Sequence, residues 1–276
     1  MRLRIAHVTR YGYAPAAHRL ALRMRLWPSR FETQRPGAWR VSVNGEDVPT
    51  LFTDVHGEAL GLWHAHAPVP EVEIRAEGEV ETEDAAGVVR GLGRPRALGV
   101  FLRETPLTAP DDALRDLAEG ARAEAGGGGP LEVLHALMDA VHGALDFRAG
   151  VTDASTPAAR ALALGAGVCQ DHCHLFLAAA RSLGAPARYV AGYLLAGEGD
   201  DALHETHAWA EAHVEGLGWV GFDPSSDMCP TERYVRVCSG LDARGATPIR
   251  GSVTGATEET LSAHVEIAAA AAAAQQ

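Results

Sequence analysis

The stretch that most constrains the fold runs from residue 156 to residue 223, where helix signals are followed directly by strand signals. Thr156, Pro157 and Gly165 are typical of a helix N-cap, a first helical position and a helix end. A second helix is predicted over about 168–183. Three short apolar runs follow, namely ARYVAGYLL, THAWAEAHVE and GWVGFD. Each reads as a strand, so this part of the chain predicts a helix packed on an antiparallel sheet.

The first 85 residues have the texture of an all-β unit. RIAHVTRYGY and HRLALRMRLWP alternate apolar with other residues, and Asn44-Gly45 is a strong signal for a two-residue hairpin turn. Helical spacing appears only later, around 110–124 and 130–146. We therefore predict an α+β protein. Its expected parts are listed in chain order: an N-terminal antiparallel β domain (1–85), a helical connector (86–129), a core of helices on a sheet (130–267) and a disordered alanine-rich tail (268–276).

Charge and cysteine content narrow the function classes. The formal net charge is −12, and all 24 basic residues are arginine. A chain without a basic face is not expected to bind nucleic acid or an anionic membrane surface. The sequence has neither a membrane-length apolar run nor a secretory signal, so we expect a cytoplasmic protein. In that reducing compartment the four cysteines are expected to be thiols.

Cys169 is placed where a reactive thiol is expected. Gly165 and Gly167 allow a sharp turn just before the second helix, which puts Cys169 in its first turn. Unpaired N–H groups and the positive end of the helix dipole favour a thiolate there, and a nearby imidazolium favours it further. The same N–H groups can stabilise an oxyanion. Cys169 is therefore the predicted nucleophile.

His207 and Asp223 complete a plausible catalytic set. They lie on strands predicted over 205–215 and 218–223, which a Gly-Leu-Gly turn joins. Antiparallel pairing of these strands would bring the two side chains next to each other. An imidazole so placed can carry the proton, and the carboxylate can fix its tautomer and orientation. The alternatives are a structural strand histidine and a turn aspartate before Pro224.

These segments together resemble the bacterial transglutaminase-like superfamily. The matching stretches are GVCQDHCHLFLAAARSLGAPARYVAGYLL, HAWAEAHVEGLGWVGFDPSS and VRVCSGLDARGATPIRGSVTG, with a weaker match in RIAHVTRYGYAPAAHRLALRMRLWP. The resemblance implies a papain-like core behind an N-terminal β domain. It also implies roles for three residues: Cys169 as nucleophile, His207 as general base and acid, and Asp223 as the group that orients the histidine.

The chain departs from the family pattern at two places. His172 and Cys173 stand where members commonly have phenylalanine and alanine, and the family's DPTN is DPSS here, with Ser225 and Ser226. These departures concern the surroundings of Asp223 and the substrate-facing side of the helix. We expect His172 and Trp209 to border a substrate cleft.

A metal site is the other interpretation of the histidines and cysteines near Cys169. Residues at i, i+3 and i+4 of one helix cannot complete a tetrahedral zinc site, and the sequence has no HExxH motif or paired CxxC. We therefore predict no metal and no cofactor. His174 is expected in the core, Asp171 in a local cap or pair, and Cys229 and Cys238 as structural thiols.

The sequence thus predicts cysteine-dependent acyl transfer at amide bonds through a thioester acyl-enzyme. The expected substrate is a protein or peptide, attacked at a glutamine side chain or a peptide bond. Hydrolysis is favoured over transamidation because water needs no dedicated acceptor site. The alternatives are a catalytically silent interaction module with the same fold and a metal-binding protein.

Overall fold

The computed structural model of the protein is described over residues 1–92, 97–197 and 203–270. The N-terminal half is built from strands: β1 (Arg2–Ala17), β2 (Arg19–Met24), β3 (Gln34–Val43), β4 (Glu46–Asp47), β5 (Phe52–Thr53), β6 (Ala59–His64), β7 (Val69–Thr82) and β8 (Val88–Val89). A 3-10 turn (Leu98–Leu102) leads to the mixed half: α1 (Asp112–Glu124), α2 (Pro130–Ala144), β9 (Asp146–Phe147), α3 (Ala158–Leu164), β10 (Ala166–Gly167), α4 (Cys169–Ser182), β11 (Ala187–Ala196), β12 (Leu203–Val214), β13 (Gly218–Phe222), β14 (Tyr234–Gly240), β15 (Ile249–Thr254) and β16 (Glu258–Ala269).

Two antiparallel sheets form the N-terminal unit. Their strand orders are β16-β1-β7-β3-β4 and β15-β2-β6-β5. Apolar residues from β1, β2, β3 and β7 share one core cluster, which includes Leu22, Met24, Val43 and Ile74. The Asn44-Gly45 turn joins β3 to β4 with both residues at positive φ, 51° and 84°, as the two-residue hairpin predicted.

The mixed half is a helical layer on a five-stranded sheet of order β14-β11-β12-β13-β8. Helices α1, α2, α3 and α4 contribute buried residues to one cluster with β11, β12 and β13. On β12 the cluster includes Val214 and three alanines, Ala208, Ala210 and Ala212, whose small side chains let the buried face of α4 lie close to the sheet. The predicted fold class, an N-terminal antiparallel β unit followed by a papain-like core, is confirmed.

The predicted segment boundaries need correction at the C-terminal end. β15 pairs with β2, and β16 pairs with β1 over Leu3–Ala14, so residues 249–269 complete the N-terminal sheets and do not belong to the core. Ala268 and Ala269 lie in β16, which contradicts a disordered tail beginning at 268; residues 271–276 lie outside the described part. β15 and β16 pair here because the edges of β2 and β1 would otherwise have unpaired backbone N–H and C=O groups.

The predicted connector over 86–129 also needs correction. Leu114, Ala118 and Ala121 of α1 are buried in the same cluster as α2 and α4, so α1 is part of the core. Asp111 caps this helix by accepting a hydrogen bond from the N–H of Leu114, at 2.9 Å. None of the helices in the described residues is long and apolar enough to cross a membrane.

A buried ionic network joins the two halves of the molecule. Glu211 of β12 accepts hydrogen bonds from Arg188 (2.6 Å) and Arg236 (2.9 Å), and both glutamate oxygens are used. Arg236 also contacts Glu58 of the N-terminal unit at 3.2 Å, and Glu58 in turn contacts Arg25 at 3.3 Å. All five side chains are at most 4% exposed.

Removing the charge of Glu211 should therefore destabilise the protein strongly. Glu211→Gln leaves Arg188 and Arg236 without their shared counter-charge in the interior, and we expect a loss of about 3–5 kcal/mol in the free energy of unfolding. The matched control is Glu119→Gln, which removes one partner of the exposed Glu119–Arg122 pair on α1. That control should cost less than about 1 kcal/mol. Urea denaturation followed by circular dichroism measures both; equal losses would contradict a joining role for the network.

Candidate active site

The turn before α4 is shaped to present Cys169. Gly165 ends α3 in the left-handed region at φ 63°, and Cys169 is the first residue of α4. A Cβ on Gly167 would lie 2.6 Å from the Cβ of Asp171, so only glycine fits there without a shift. Asp171 accepts hydrogen bonds from the Val168 N–H (2.9 Å) and from the Thr152 hydroxyl (2.6 Å). This is the local capping role expected for Asp171.

His207 and Asp223 meet as a hydrogen-bonded pair. The Nε2 of His207 donates to Oδ2 of Asp223 at 2.6 Å. The register of β12 and β13 aligns Ala210 with Phe222, so Asp223, one residue further, follows the strand end and reaches His207 diagonally. The sequence predicted that these two side chains would lie next to each other. On its other side, β12 aligns His207 with Gly192 of β11.

The pair also contacts the nucleophile candidate. The imidazole of His207 is hydrogen-bonded to Asp223, and Cys169 lies close enough to act on its pKa. Burial disfavours the charged imidazole, but the hydrogen bonds and charges of Asp223 and Cys169 outweigh burial and raise the pKa of His207 above its ordinary value. His207 keeps 13% of its side chain exposed and Cys169 is partly exposed, so the site opens to solvent on this side.

Asp223 is fully buried and accepts four hydrogen bonds. Its Oδ2 binds His207 Nε2 and the Tyr234 hydroxyl (2.8 Å), while its Oδ1 binds the N–H (3.1 Å) and the hydroxyl (2.7 Å) of Ser225. Burial would favour the neutral acid, but these donors and the charge of His207 outweigh it and lower the pKa of Asp223. Asp223 is therefore an ionised acceptor for His207.

Sequence reasoning missed two residues that support this carboxylate. Tyr234 is separated from Asp223 by a loop, and no motif marks it. His142 of α2 donates from Nδ1 to the carbonyl of Pro224 at 3.0 Å and so ties the DPSS turn to the helical layer. His142 is exposed on α2, so no burial pattern in the sequence marks it.

The predicted cleft residues, His172 and Trp209, are both interior, which corrects that prediction. His172 is 1% exposed, and its ring nitrogens lie 3.0 and 3.2 Å from the carbonyl oxygens of Val168 and Leu145. Trp209 is 2% exposed and packs against Val190 and Tyr234. It does share a strand face with His207, with the two rings stacked at 6.4 Å, but it lies behind the site.

The remaining histidines and cysteines have structural environments. Nε2 of His174 accepts a hydrogen bond from the N–H of Ala243 at 3.1 Å, inside the core. All four cysteines are free thiols. Burial raises the pKa of Cys173 and Cys229, and that of Cys238 to about 12. Across residues 1–92, 97–197 and 203–270, no three His, Cys, Asp or Glu side chains are grouped closely enough to hold a metal ion.

Comparison with known proteins places this site in a family. Residues 116–224 match the family model of the transglutaminase-like superfamily, and residues 3–81 match that of the bacterial transglutaminase-like N-terminal region. An uncharacterized protein of Mycobacterium leprae is 29% identical, over 96% of this chain and 98% of its own. A protein of Mycobacterium bovis, also uncharacterized, is 28% identical over 91% of this chain and 87% of its own.

A solved structure shares the fold over nearly the whole chain. It is that of a candidate cysteine protease from Cytophaga hutchinsonii, with a TM-score of 0.72 and 22% identity, covering 97% of this chain and 90% of that one. The two family models together span more than half of the 276 residues, in the order and positions of the two structural units. The chain thus belongs to the transglutaminase-like superfamily and carries the N-terminal region of its bacterial members.

Proposed function

We propose that the protein hydrolyses amide bonds of a protein or peptide through a thioester on Cys169. The single observation that carries the proposal is the connected set formed by Cys169 at a helix N-terminus, the imidazole of His207 and the buried carboxylate of Asp223. A catalytically silent module would not need a partly exposed thiol beside a histidine whose pKa is raised.

In the acylation step the Cys169 thiolate attacks the amide carbonyl carbon and forms a C–S bond. The carbonyl oxygen becomes an oxyanion, which the N–H of Cys169 at the start of α4 stabilises. The N–H groups of Asp171 and His172 donate to the Val168 carbonyl. The imidazolium of His207 then gives its proton to the amide nitrogen. The C–N bond breaks, ammonia or an amine leaves, and a thioester remains on Cys169.

In the deacylation step neutral His207 takes a proton from water, and the hydroxide attacks the thioester carbon. Collapse breaks the C–S bond, releases the acid and restores the thiolate and the imidazolium. Asp223 holds the ring in place throughout. Its Oδ2 accepts a hydrogen bond from the Nε2–H group, which leaves Nδ1 for the proton transfers. An amine in place of water would give transamidation by the same steps.

The proposed substrate presents either a glutamine side chain or a peptide bond, and hydrolysis is preferred because water requires no acceptor site. The proposed location is the cytoplasm, where a free thiol nucleophile stays reduced. No metal or cofactor takes part in the proposed steps.

Selective alkylation tests the nucleophile. One equivalent of iodoacetamide near neutral pH should modify Cys169 first, because Cys173 and Cys238 are fully buried and burial raises the pKa of both, and of Cys229. Intact mass should show a single adduct, and peptide mapping should locate it. Cys169→Ser should abolish the adduct and His207→Ala should slow its formation. First reaction at Cys229 would overturn the assignment of the nucleophile.

Asp223→Asn should lower kcat/KM by on the order of 10²-fold or more, because an amide can turn the imidazole to the wrong tautomer. Removing the carboxylate also lowers the pKa of His207, so the imidazolium is lost earlier as pH rises. The alkaline limb of the rate profile should therefore move to lower pH.

Asp227→Asn is the matched control for Asp223→Asn. Asp227 is exposed in the same turn, and its positive φ of 52° is one that asparagine also tolerates. This variant should keep the rate and the pH profile of the wild type. Full activity of Asp223→Asn, or equal losses in both variants, would assign Asp223 to turn structure alone.

Product analysis separates hydrolysis from transamidation. Incubation with a glutamine-containing peptide should yield the acid product both with and without a small primary amine, whereas incorporation of the amine would favour a transferase. The chain contains no lysine, so it should not cross-link to itself through side chains. Gel electrophoresis under reducing and denaturing conditions checks this: a ladder of the protein alone would contradict it.

A further inference from the structure

Tyr234 shares the carboxylate of Asp223 with His207 and is not part of the steps above. Its hydroxyl donates a hydrogen bond to Oδ2 at 2.8 Å. The same oxygen accepts the hydrogen bond from His207 Nε2 at 2.6 Å. Ser225 serves only the other oxygen, Oδ1. We propose that Tyr234 is a positioning residue that holds Asp223 against His207 and takes up part of the charge on Oδ2. The proposal rests on the proposed function, since it concerns the same histidine.

The ring of Tyr234 is fixed by two aromatic neighbours. It meets His207 edge to face at 5.9 Å and Trp209 at 5.5 Å, with interplanar angles of 63° and 84°. Trp209 can lie there because Gly192 of β11, which pairs with His207, has no side chain; a Cβ at Gly192 would come within 2.7 Å of the indole. The tyrosine ring therefore has one orientation, and its hydroxyl is aimed at the carboxylate.

The strand that carries Tyr234 is held by the N-terminal unit. The side chain of Gln34 bonds to both backbone groups of Arg236, accepting from its N–H at 2.7 Å and donating to its carbonyl at 2.8 Å. Glu58 binds the guanidinium of the same residue, and the Thr82 hydroxyl donates to the carbonyl of Glu232. Through β14 and Tyr234, the N-terminal sheets thus set the position of Asp223.

Because His207 and Tyr234 share Oδ2 of Asp223, the tyrosine hydroxyl affects the protonation of the histidine. The groups that face His207 are Cys169 from α4, Asp223 from the end of β13 and Tyr234 from β14. Of these, Tyr234 alone is a neutral donor that competes with the imidazolium for Oδ2. Without its hydroxyl, more of the negative charge of Asp223 acts on His207, so the imidazolium should persist to higher pH. A purely structural tyrosine would not produce this shift.

The test uses the rate of Cys169 alkylation by iodoacetamide against pH, which needs no substrate. The wild type should show two inflections: one where the thiolate forms and a second, at higher pH, where His207 loses its proton. Tyr234→Phe keeps the ring and should move the second inflection upward by about 0.5–1 pH unit. Ser225→Ala removes a hydroxyl from the other oxygen of the same carboxylate and should move it by less than half as much.

A second substitution reverses the expected direction and guards against misfolding of Tyr234→Phe. Site-specific 3-fluorotyrosine at position 234 is a stronger donor of the same shape and should move the second inflection to lower pH. An unchanged second inflection in both variants, or an equal shift in Ser225→Ala, would overturn the proposal for Tyr234. A wild-type profile with a single inflection would instead overturn the proposed function, so the two failures are distinguishable.

Discussion

The carboxylate of Glu211 is the interaction on which the arrangement of the molecule depends. It lies between Arg188 and Arg236, and Arg236 carries the contact on to Glu58 in the N-terminal unit. Positive and negative groups alternate through this chain, and none of them can exchange its partner for water. Buried charges of this kind stabilise only when every partner is in place. The two units are therefore fixed relative to each other by an ionic network to which both contribute charged residues.

Strand β12 connects this ionic network to His207, the proposed general base. Glu211, Trp209 and His207 follow each other at alternate positions on one face, while the alanines between them face the helical layer. The ionic network fixes one end of the row, and His207 is near the other end. The small residues on the opposite face bring α4 close to the sheet, so that Cys169 reaches the imidazole. One strand thus positions the histidine from both of its faces.

The local parts of this design could be predicted from the sequence. The turn before α4, the helix itself and the Asn44-Gly45 hairpin depend on residues adjacent in the chain, and all are present. The proximity of His207 and Asp223 could be predicted as well, because a three-residue turn joins their strands. Pairing of β1 with β16 and of β2 with β15 could not, since strands so distant in sequence leave no short-range signal. Tyr234, 11 residues beyond Asp223 and across a loop, was missed because no motif marks it.

Besides long-range strand pairing, sequence periodicity could not determine which side chains are buried. Alternation placed Trp209 on the face of His207, but packing against Val190 of β11 and Tyr234 of β14 makes it interior. His172 was expected at the cleft because it stands one turn beyond Cys169, yet the β9–β10 pair and the carbonyl of Leu145 enclose that side of the helix. The position of a residue along a helix or strand determines where its side chain points. Whether that side chain reaches solvent depends on the elements packed around it.

The two departures from the family pattern can now be interpreted physically. His172 and Cys173 are both interior, so that substitution alters the packing of α4 and not a surface offered to substrate. In the DPSS turn, Ser225 donates twice to Oδ1 of Asp223, which leaves Oδ2 for His207 and Tyr234. A carboxylate at 0% exposure needs that many donors to stay ionised, because each replaces a water molecule that burial has removed. The serine therefore preserves what the histidine requires of Asp223: a negative charge at a fixed place.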